Sequence, residues 1–438
     1  MSAVALTEAE PVITPEQTGS EWGLMKRVAF RFAFVYLILF NLPIPLGILP
    51  WTGTLATKYG NLWHPVVAWV ASHVFRITSA VSVAETGSGD RTYDWILLSV
   101  FLTMSITAAL VWSLLDRKRT DYKKLDQWLR LYIRLALACW MMTYGGYKIV
   151  PAQFPPPLLM RLIQPYGEST PMGLLWTFMG ASPSYTIFTG CVEMIAGVLL
   201  VFPRTAVAGA TLSLAAMAQV FLLNICYDVP VKLLSFHLIL MSLFLLLPHL
   251  RRIANLFLFN RTAEAYEMPP LLKRKWPGRA LLIGQIVFGA IVFVSCISEG
   301  YAGYKLRVKD RVPLHGIWNV EEIAVNGELR PPLLTDQNRW RRAVFQFPAM
   351  MIVQTMDGPR RAFQLNLDME GKKMTLAATD NPESKAEFSF DQAESNVLTL
   401  DGQLEGRPTK VKLVRMDESQ FELVSHGFHW ISERPNGR

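Results

Sequence analysis

The sequence predicts an α-helical membrane bundle of about seven transmembrane helices followed by a small antiparallel β-barrel, and three observations carry that expectation. Apolar residues make up 51% of the 438, and between Val28 and Ser298 they gather into runs long enough to cross a hydrocarbon core of about 30 Å. From Val312 onward the pattern changes to short β-branched and aromatic runs separated by turn dipeptides. Lys and Arg flank the apolar runs, so the net charge of +8 serves to orient helices in a bilayer and does not point to nucleic acid.

Residues 1–21 form a polar, mildly acidic stretch with no basic region leading a short apolar core, which predicts a disordered tail and no cleaved signal peptide. Residues 22–127 form an N-terminal membrane region with two spans and an interfacial helix. Val28–Leu49 is the first span, with Asn41, Pro43 and Pro45 breaking its outer half. Leu62–Val83 carries His64, His73 and Arg76 on an amphipathic pattern and is expected to lie in the interface. After the polar turn Gly87-Ser88-Gly89-Asp90 comes the span Trp95–Leu115, then a basic loop holding Arg117, Lys118, Arg119, Lys123 and Lys124.

Residues 128–261 are expected to form a four-helix bundle, with spans at Leu129–Val150, Tyr185–Phe202, Ala206–Tyr227 and Val231–Leu247. Residues 262–300 supply a basic linker and the last span, Ala280–Ser298. If Leu62–Val83 does not cross, Lys26/Arg27, the Arg117 cluster, Arg204, Arg251/Arg252 and Lys273/Arg274/Lys275 share one side. The positive-inside rule then puts that side and the N-terminus in the cytoplasm and the C-terminal domain outside; Lys305, Arg307, Lys309 and Arg311 argue the other way. In the long outer loop, Ser169-Thr170-Pro171 opens a short helix over Met172–Met179 with a hydroxyl cap and proline at its first position, read either as a lid over the polar residues below or as packing alone.

Residues 312–438 contain strand-like runs at His315–Val325, Ala343–Phe347, Met351–Met356, Ala362–Leu367, Met374–Ala377, Ala386–Phe390, Val397–Leu400, Val411–Val414 and Phe421–Val424. Asn326-Gly327, Asp357-Gly358, Glu370-Gly371, Asp380-Asn381 and Asp401-Gly402 mark turns between them, so an antiparallel meander closing into a barrel is expected.

Six polar residues interrupt the bundle where polarity is costly: Lys148, Glu193, Asn224, Asp228, Lys232 and His237. Counting along the helices puts Glu193 near mid-membrane, His237 and Asn224 above it, and Asp228, Lys232 and Lys148 close to the outer surface. One reading is a structural network in which Glu193 pairs with Lys148 or His237, and Asp228 with Lys232 across the Pro230 turn. The other is a pocket for a polar headgroup or quinone ring, with Glu193 or His237 handling a proton. Cys139, Cys191, Cys226 and Cys296 all fall in apolar segments without metal-ligand spacing. His426 and His429 are three apart, which on a strand puts them on opposite faces, so no metal site is expected. Phosphate loops, Rossmann fingerprints, nucleophile elbows, HExxH and CxxCH motifs are absent, which argues against a self-contained nucleotide-using, hydrolytic or c-type haem enzyme but leaves quinone chemistry open.

Tyr144-Gly145-Gly146-Tyr147-Lys148, Gly190-Cys191-Val192-Glu193-Met194-Ile195-Ala196-Gly197 and the closing Arg251-Arg252 resemble the DoxX-like family of bacterial four-helix membrane proteins. The resemblance covers about Trp128 to Arg261. It implies the four-helix core, a bacterial-type inner membrane and a redox association, with a quinone as candidate cofactor and redox proteins as candidate partners, and it specifies no reaction. Gly316-Ile317-Trp318 resembles the strand opening of lipocalins and the wider calycin group, although the family's disulfides and a helix after the barrel are not evident. That likeness implies that Trp318 closes one end of the barrel beneath an arginine, Arg415 or Arg434, around a cavity for a lipid-like ligand. Three functions remain open: a quinone-linked or lipid-binding redox subunit, a non-enzymatic lipid or envelope-handling protein, and a membrane carboxylase-like or oxidoreductase catalyst using Lys148, Glu193 and His237.

Overall fold

The computed structural model describes residues 21–48, 52–262, 271–272, 274–306, 312–381 and 384–436. The expectations for the tail before Glu21, and for Lys273, Arg307, Lys309 and Arg311, lie outside these residues. The helical part comprises α1 (Leu24–Asn41), α2 (Pro43–Ile48), α3 (Gly53–His73), α4 (Thr92–Leu115), α5 (Lys123–Ile149), α6 (Leu159–Leu162), α7 (Pro171–Ala181), α8 (Pro183–Val201), α9 (Ala206–Cys226), α10 (Lys232–Leu246), α11 (Leu250–Phe257) and α12 (Lys275–Tyr304). Among the described residues, five helical stretches are long and apolar enough to cross a membrane: α4, α8, α9, α10 continued through α11, and α12.

α5 is the axis of the bundle, packing against α8, α12, α10, α1 and α2. Its core face runs through Leu129, Ile133, Leu137, Met141 and Met142, all essentially inaccessible. It also carries Arg130, Arg134 and Lys148 and is not among the five stretches apolar enough to cross, so the expected count of about seven spans is not reached on length and composition. α1 likewise carries Lys26, Arg27 and Arg31. Arg31 is buried, with Nε and Nη2 donating to the Tyr122 hydroxyl at 3.0 and 2.7 Å, Nη1 to Ser113 Oγ at 2.6 Å and Nη2 to the Asp116 carbonyl at 3.0 Å. A charge whose donors are met inside the protein can sit on a packed helix without facing lipid.

Two local expectations hold and one shifts. α1 stops at Asn41 before Pro43, whose missing N–H cannot continue the ladder. α7 begins as its cap predicts, with Thr170 Oγ1 accepting the Gly173 N–H at 3.1 Å and proline at the first position. The expected interfacial helix is displaced: it occupies Gly53–His73 and ends ten residues before Val83, with Arg76 in the left-handed region at φ 54°. It remains amphipathic, burying Trp63, Val67 and Ala71 and exposing Leu62, Val66 and Trp69.

The C-terminal part is a closed antiparallel barrel of β1 (Gly316–Val325), β3 (Trp340–Phe347), β4 (Met350–Thr355), β5 (Arg360–Asp368), β6 (Lys373–Ala378), β7 (Lys385–Glu394), β8 (Val397–Leu404) and β9 (Arg407–Arg415). Each of these pairs with the next, and β9 returns to β1 with Trp318 opposite Arg415. β2 (Glu328–Leu329) only extends the end of β1 through the Asn326-Gly327 turn. The alternating inner face, from Trp318 and Phe345 through Leu376 and Phe388 to Leu413, is one apolar cluster. Two expectations need correction. Phe421–Val424 is no strand: a short helix, α13 (Glu422–Ser425), follows the barrel, because β9 and β1 have already satisfied each other's edges. Asp401-Gly402 is no turn: it lies inside β8, where a Cβ on Gly402 would fall 2.0 Å from the Glu387 carbonyl oxygen, and the turn comes at Glu405-Gly406.

The barrel touches the helical part through the loop between α5 and α7. Leu159 of α6 packs on Ile317 and Val344 of the barrel's outer wall, the Met160 N–H donates to Gln346 Oε1 at 3.4 Å, and Glu168 pairs with Arg360.

Candidate functional site

The six polar residues read from the sequence separate into three groups. Lys148, Glu193 and Asn224 line one cavity of about 570 Å³, bounded by α5, α8, α9, the start of the α5–α7 loop and α7. Asp228 and Lys232 pair at 2.8 Å outside it, and Lys232 Nζ also lies 3.9 Å from Asp90. His237 faces α1 and is not among the lining residues.

The geometry of the first group follows from glycine. A Cβ on Gly145 of α5 would lie 2.7 Å from the Gly190 carbonyl oxygen, and one on Gly190 of α8 would lie 2.7 Å from Lys148 Cβ. No larger residue at either position permits this approach, so α5 and α8 run nearly backbone to backbone. On another face of α5, a Cβ on Gly146 would lie 3.0 Å from Cys296 of α12, and one on Gly300 of α12 would lie 2.9 Å from the Gly146 carbonyl oxygen. Lys148 is thereby level with Gly190, about 10 Å along α8 from its first residue at 1.5 Å per residue. α5 thus ends beneath the loop, and Lys148 is buried, 5% exposed, where helix counting places it near the outer surface.

Lys148 Nζ donates to Glu193 Oε1 at 2.5 Å, and both side chains are almost wholly buried. Glu193 Oε2 is buried and accepts no hydrogen bond among the described residues. Lys148 Nζ also stands 5.6 Å from the centre of the Tyr144 ring. Around this pair the wall is aromatic and apolar, including Trp140, Tyr144, Phe154, Trp176 and Phe188. Phe178 and Phe188 line the cavity while being 59% and 62% exposed, so it reaches the protein surface on an apolar side. Asn224 Nδ2 donates to Ser235 Oγ at 3.0 Å, tying α9 to α10 at the cavity edge. The site therefore offers adjacent groups of both kinds, an ammonium with further N–H donors and a carboxylate oxygen with a free lone pair.

Several contributors were not legible from the sequence. The Asp90 carboxylate accepts the backbone N–H groups of Lys232 and Leu233 at 2.7 and 2.9 Å, capping α10 from a distant loop. That same loop brings Gly87 to the cavity wall. His237 is engaged at both nitrogens: Nδ1 donates to the Leu233 carbonyl at 2.6 Å, and Nε2 shares a hydrogen bond of 2.5 Å with the Tyr36 hydroxyl. Its ring also stacks on Phe40 at 3.9 Å. The arrangement separates His237 from Lys148 and Glu193.

In the barrel, Trp318 is buried and its Nε1 donates to the Leu314 carbonyl at 2.9 Å. Between the two arginines considered, Arg415 takes the place beside it: its Nε would lie 2.9 Å from a Cβ on Gly316, which adopts φ 149°. His426 and His429 do not lie on a strand, and their ring centres are 5.1 Å apart. No group of three or more His, Cys, Asp or Glu able to hold a metal occurs among the described residues.

No family model matches the chain, and no solved structure matches it. A curated relative does: an uncharacterized protein, YwoB, of Bacillus subtilis strain 168 is 35% identical over 133 residues, which are 28% of this chain and 79% of the relative. With a third of the residues identical over most of the relative's length, the chain belongs to the same family as YwoB.

Proposed function

We propose that the protein binds an apolar small molecule with a hydrogen-bonding head, a quinone or a lipid, in the cavity between α5, α8, α9 and α7. The observation that carries this reading is the buried Lys148–Glu193 pair on the wall of an otherwise apolar, aromatic cavity, with Glu193 Oε2 left without a donor. A buried acceptor without a partner costs about 1–3 kcal/mol. A ligand hydroxyl donating to Glu193 removes that cost, and its oxygen can accept from Lys148; a quinone carbonyl uses the lysine alone. Entry past Phe178 and Phe188 suits a molecule arriving from the bilayer.

In this reading the chain is an inner-membrane protein of DoxX-like type with seven spans, α1 and α5 joining the five most apolar stretches. The loop bearing α6 and α7 and the calycin-like barrel then face the outside. The molecule serves as the membrane subunit of a redox system. The engaged nitrogens of His237 favour Glu193 over His237 as the group that handles a proton. A non-enzymatic lipid-handling role is the second reading, favoured by the contact between the apolar-lined barrel and the loop that borders the cavity.

Native mass spectrometry of the gently solubilised full chain, with quinone and lipid analysis of what is released, tests the proposal. A stoichiometric quinone or lipid lost in Glu193→Gln supports it and names the ligand class. An empty, folded wild-type protein sinks it. In the host, deletion shifting the quinone redox state favours the redox role, and a changed envelope lipid profile favours the handling role.

A further inference from the structure

The other end of the bundle holds a second cleft, of about 1070 Å³, where the N-terminal parts of α1, α5 and α12 meet the C-terminal end of α10. Small-molecule sites span roughly 300–1000 Å³, so this cleft has room for a large amphiphile. Its deep wall is apolar, with Phe30, Phe244 and Leu281. Its polar groups are mainly cationic: Lys26, Lys123, Arg130 and Arg134, with His249, stand against Asp126, the one carboxylate among the lining residues.

Local partners do not exhaust that positive charge. Arg130 holds Asp126 at 2.8 Å and donates to the Phe244 carbonyl at 2.6 Å. Lys123 pairs at the rim with Asp121 at 3.2 Å, and Lys26 lies over the Trp22 ring at 4.5 Å. Arg134, one turn beyond Arg130, is 93% buried; its Nη2 donates to the neutral Gln285 side chain, and its Nε has no partner among the described residues. A guanidinium so deeply placed, with a free donor and no carboxylate, calls for an anion. A long cation on a helix leans toward the helix N-terminus, here toward Arg130 and the rim.

We propose that this cleft binds one anionic glycerophospholipid, its phosphate held by Arg134 and Arg130 and its acyl chains laid on the apolar wall. Basic pockets between transmembrane helices recognise anionic headgroups in this way. The apolar wall favours a lipid over free phosphate, which has nothing to place there. The end of the bundle agrees with this source: Arg204, Arg251 and Arg252 lie on the same face, the one expected to meet the anionic inner leaflet.

The full chain is delipidated in mild detergent and offered equal amounts of dioleoyl phosphatidylglycerol and dioleoyl phosphatidylcholine. Lipid adducts are then counted by native mass spectrometry and thermal stability is measured; inorganic phosphate alone is the parallel probe. One phosphatidylglycerol is expected per chain, retained in preference to phosphatidylcholine and raising stability, with little effect of phosphate. Arg134→Gln and, should that variant fold poorly, the shallower Arg130→Gln are each expected to cut the preference roughly fivefold. Arg117→Gln, which removes an exposed charge from the loop after α4 and outside the cleft, leaves it unchanged. Equal retention of both lipids, a preference untouched by Arg130→Gln and Arg134→Gln, or full stabilisation by phosphate alone would overturn the assignment.

Discussion

Gly190 of α8 and Lys148 of α5 are packed so closely that a Cβ on the glycine would lie 2.7 Å from the lysine Cβ and 2.8 Å from the Ile149 nitrogen. This contact delivers the lysine to Glu193, one turn further along α8. Gly190→Ala is therefore expected to push the helices apart, costing roughly 1–3 kcal/mol as overpacking does and lowering ligand retention together with thermal stability. Gly284 of α12 is the matching control, since nothing lies within 4 Å of a Cβ added there. Gly284→Ala should be neutral or stabilising by about 0.4–1 kcal/mol. Thermal unfolding of both variants in the same detergent checks the pair; equal effects would show that helix contact is not what positions Lys148.

Removing one member of the buried pair leaves the other charge uncompensated. Lys148→Met is expected to cost about 3–5 kcal/mol, and the double variant Lys148→Met with Glu193→Gln to recover much of it. Ligand retention should follow a different pattern, lost in both variants because both lack the ammonium. A double variant that regains stability and also retains the wild-type ligand would assign the pair to structure alone.

The sequence displayed the cavity's ingredients and, as one of two readings, the pairs Lys148–Glu193 and Asp228–Lys232, but not that His237 stands apart from them. Glycines flanking Glu193 and the Gly145-Gly146 pair beside Lys148 were visible, and their meaning as close helix contacts accounts for the Lys148–Glu193 bond. The depth of Lys148 was not readable, because a helix count assumes that helices end level and α5 ends beneath a loop. His237 and Asp90 escaped for a related reason: their partners, Tyr36 and the α10 N-terminus, lie 201 and 142 residues away in the chain. The barrel was more legible because each strand pairs with its sequence neighbour and the turn dipeptides mark the joins. Its errors fall where local signals are ambiguous. Asp401-Gly402 reads as a turn, whereas Gly402 admits β7 at close range. Phe421–Val424 alternates like a strand but has no free edge to join.

The end of α4 is tied to α1 by a chain of hydrogen bonds with a defined pH dependence. The Tyr122 hydroxyl accepts from Arg31 and donates to the Asp116 carboxylate at 2.8 Å, and that bond, aided by Trp112, Arg119 and Arg31, holds Asp116 below the ordinary carboxylate value. A carboxyl group depressed on folding stabilises the fold above its unfolded value and ceases to do so as pH falls through its folded one. Stability should thus decline below about pH 4, and Tyr122→Phe, which loses the largest cause of the shift, should show a shallower decline. Melting temperatures of the two proteins across that range decide it; parallel curves would remove Asp116 from the account.

The contact between the barrel and the helical part joins an apolar patch to an ion pair, and these should contribute unequally. Leu159, Ile317 and Val344 are almost wholly buried against one another, so the patch gains about 25 cal/mol for each Å² of apolar surface removed from water. The Glu168–Arg360 pair is partly exposed on both sides and should contribute no more than about 1 kcal/mol. Leu159→Asp puts a carboxylate into the patch with no partner and should release the barrel. Glu168→Gln should leave the contact intact. Hydrogen exchange of α6 reads the difference, since a released barrel uncovers Leu159 and its neighbours. If release also perturbs ligand retention in the cavity, the loop bearing α6 and α7 transmits the barrel's position to the Lys148–Glu193 pair. Unchanged retention on a freed barrel would mean that the two parts bind independently, and the lipid-transfer reading would then lose its structural support.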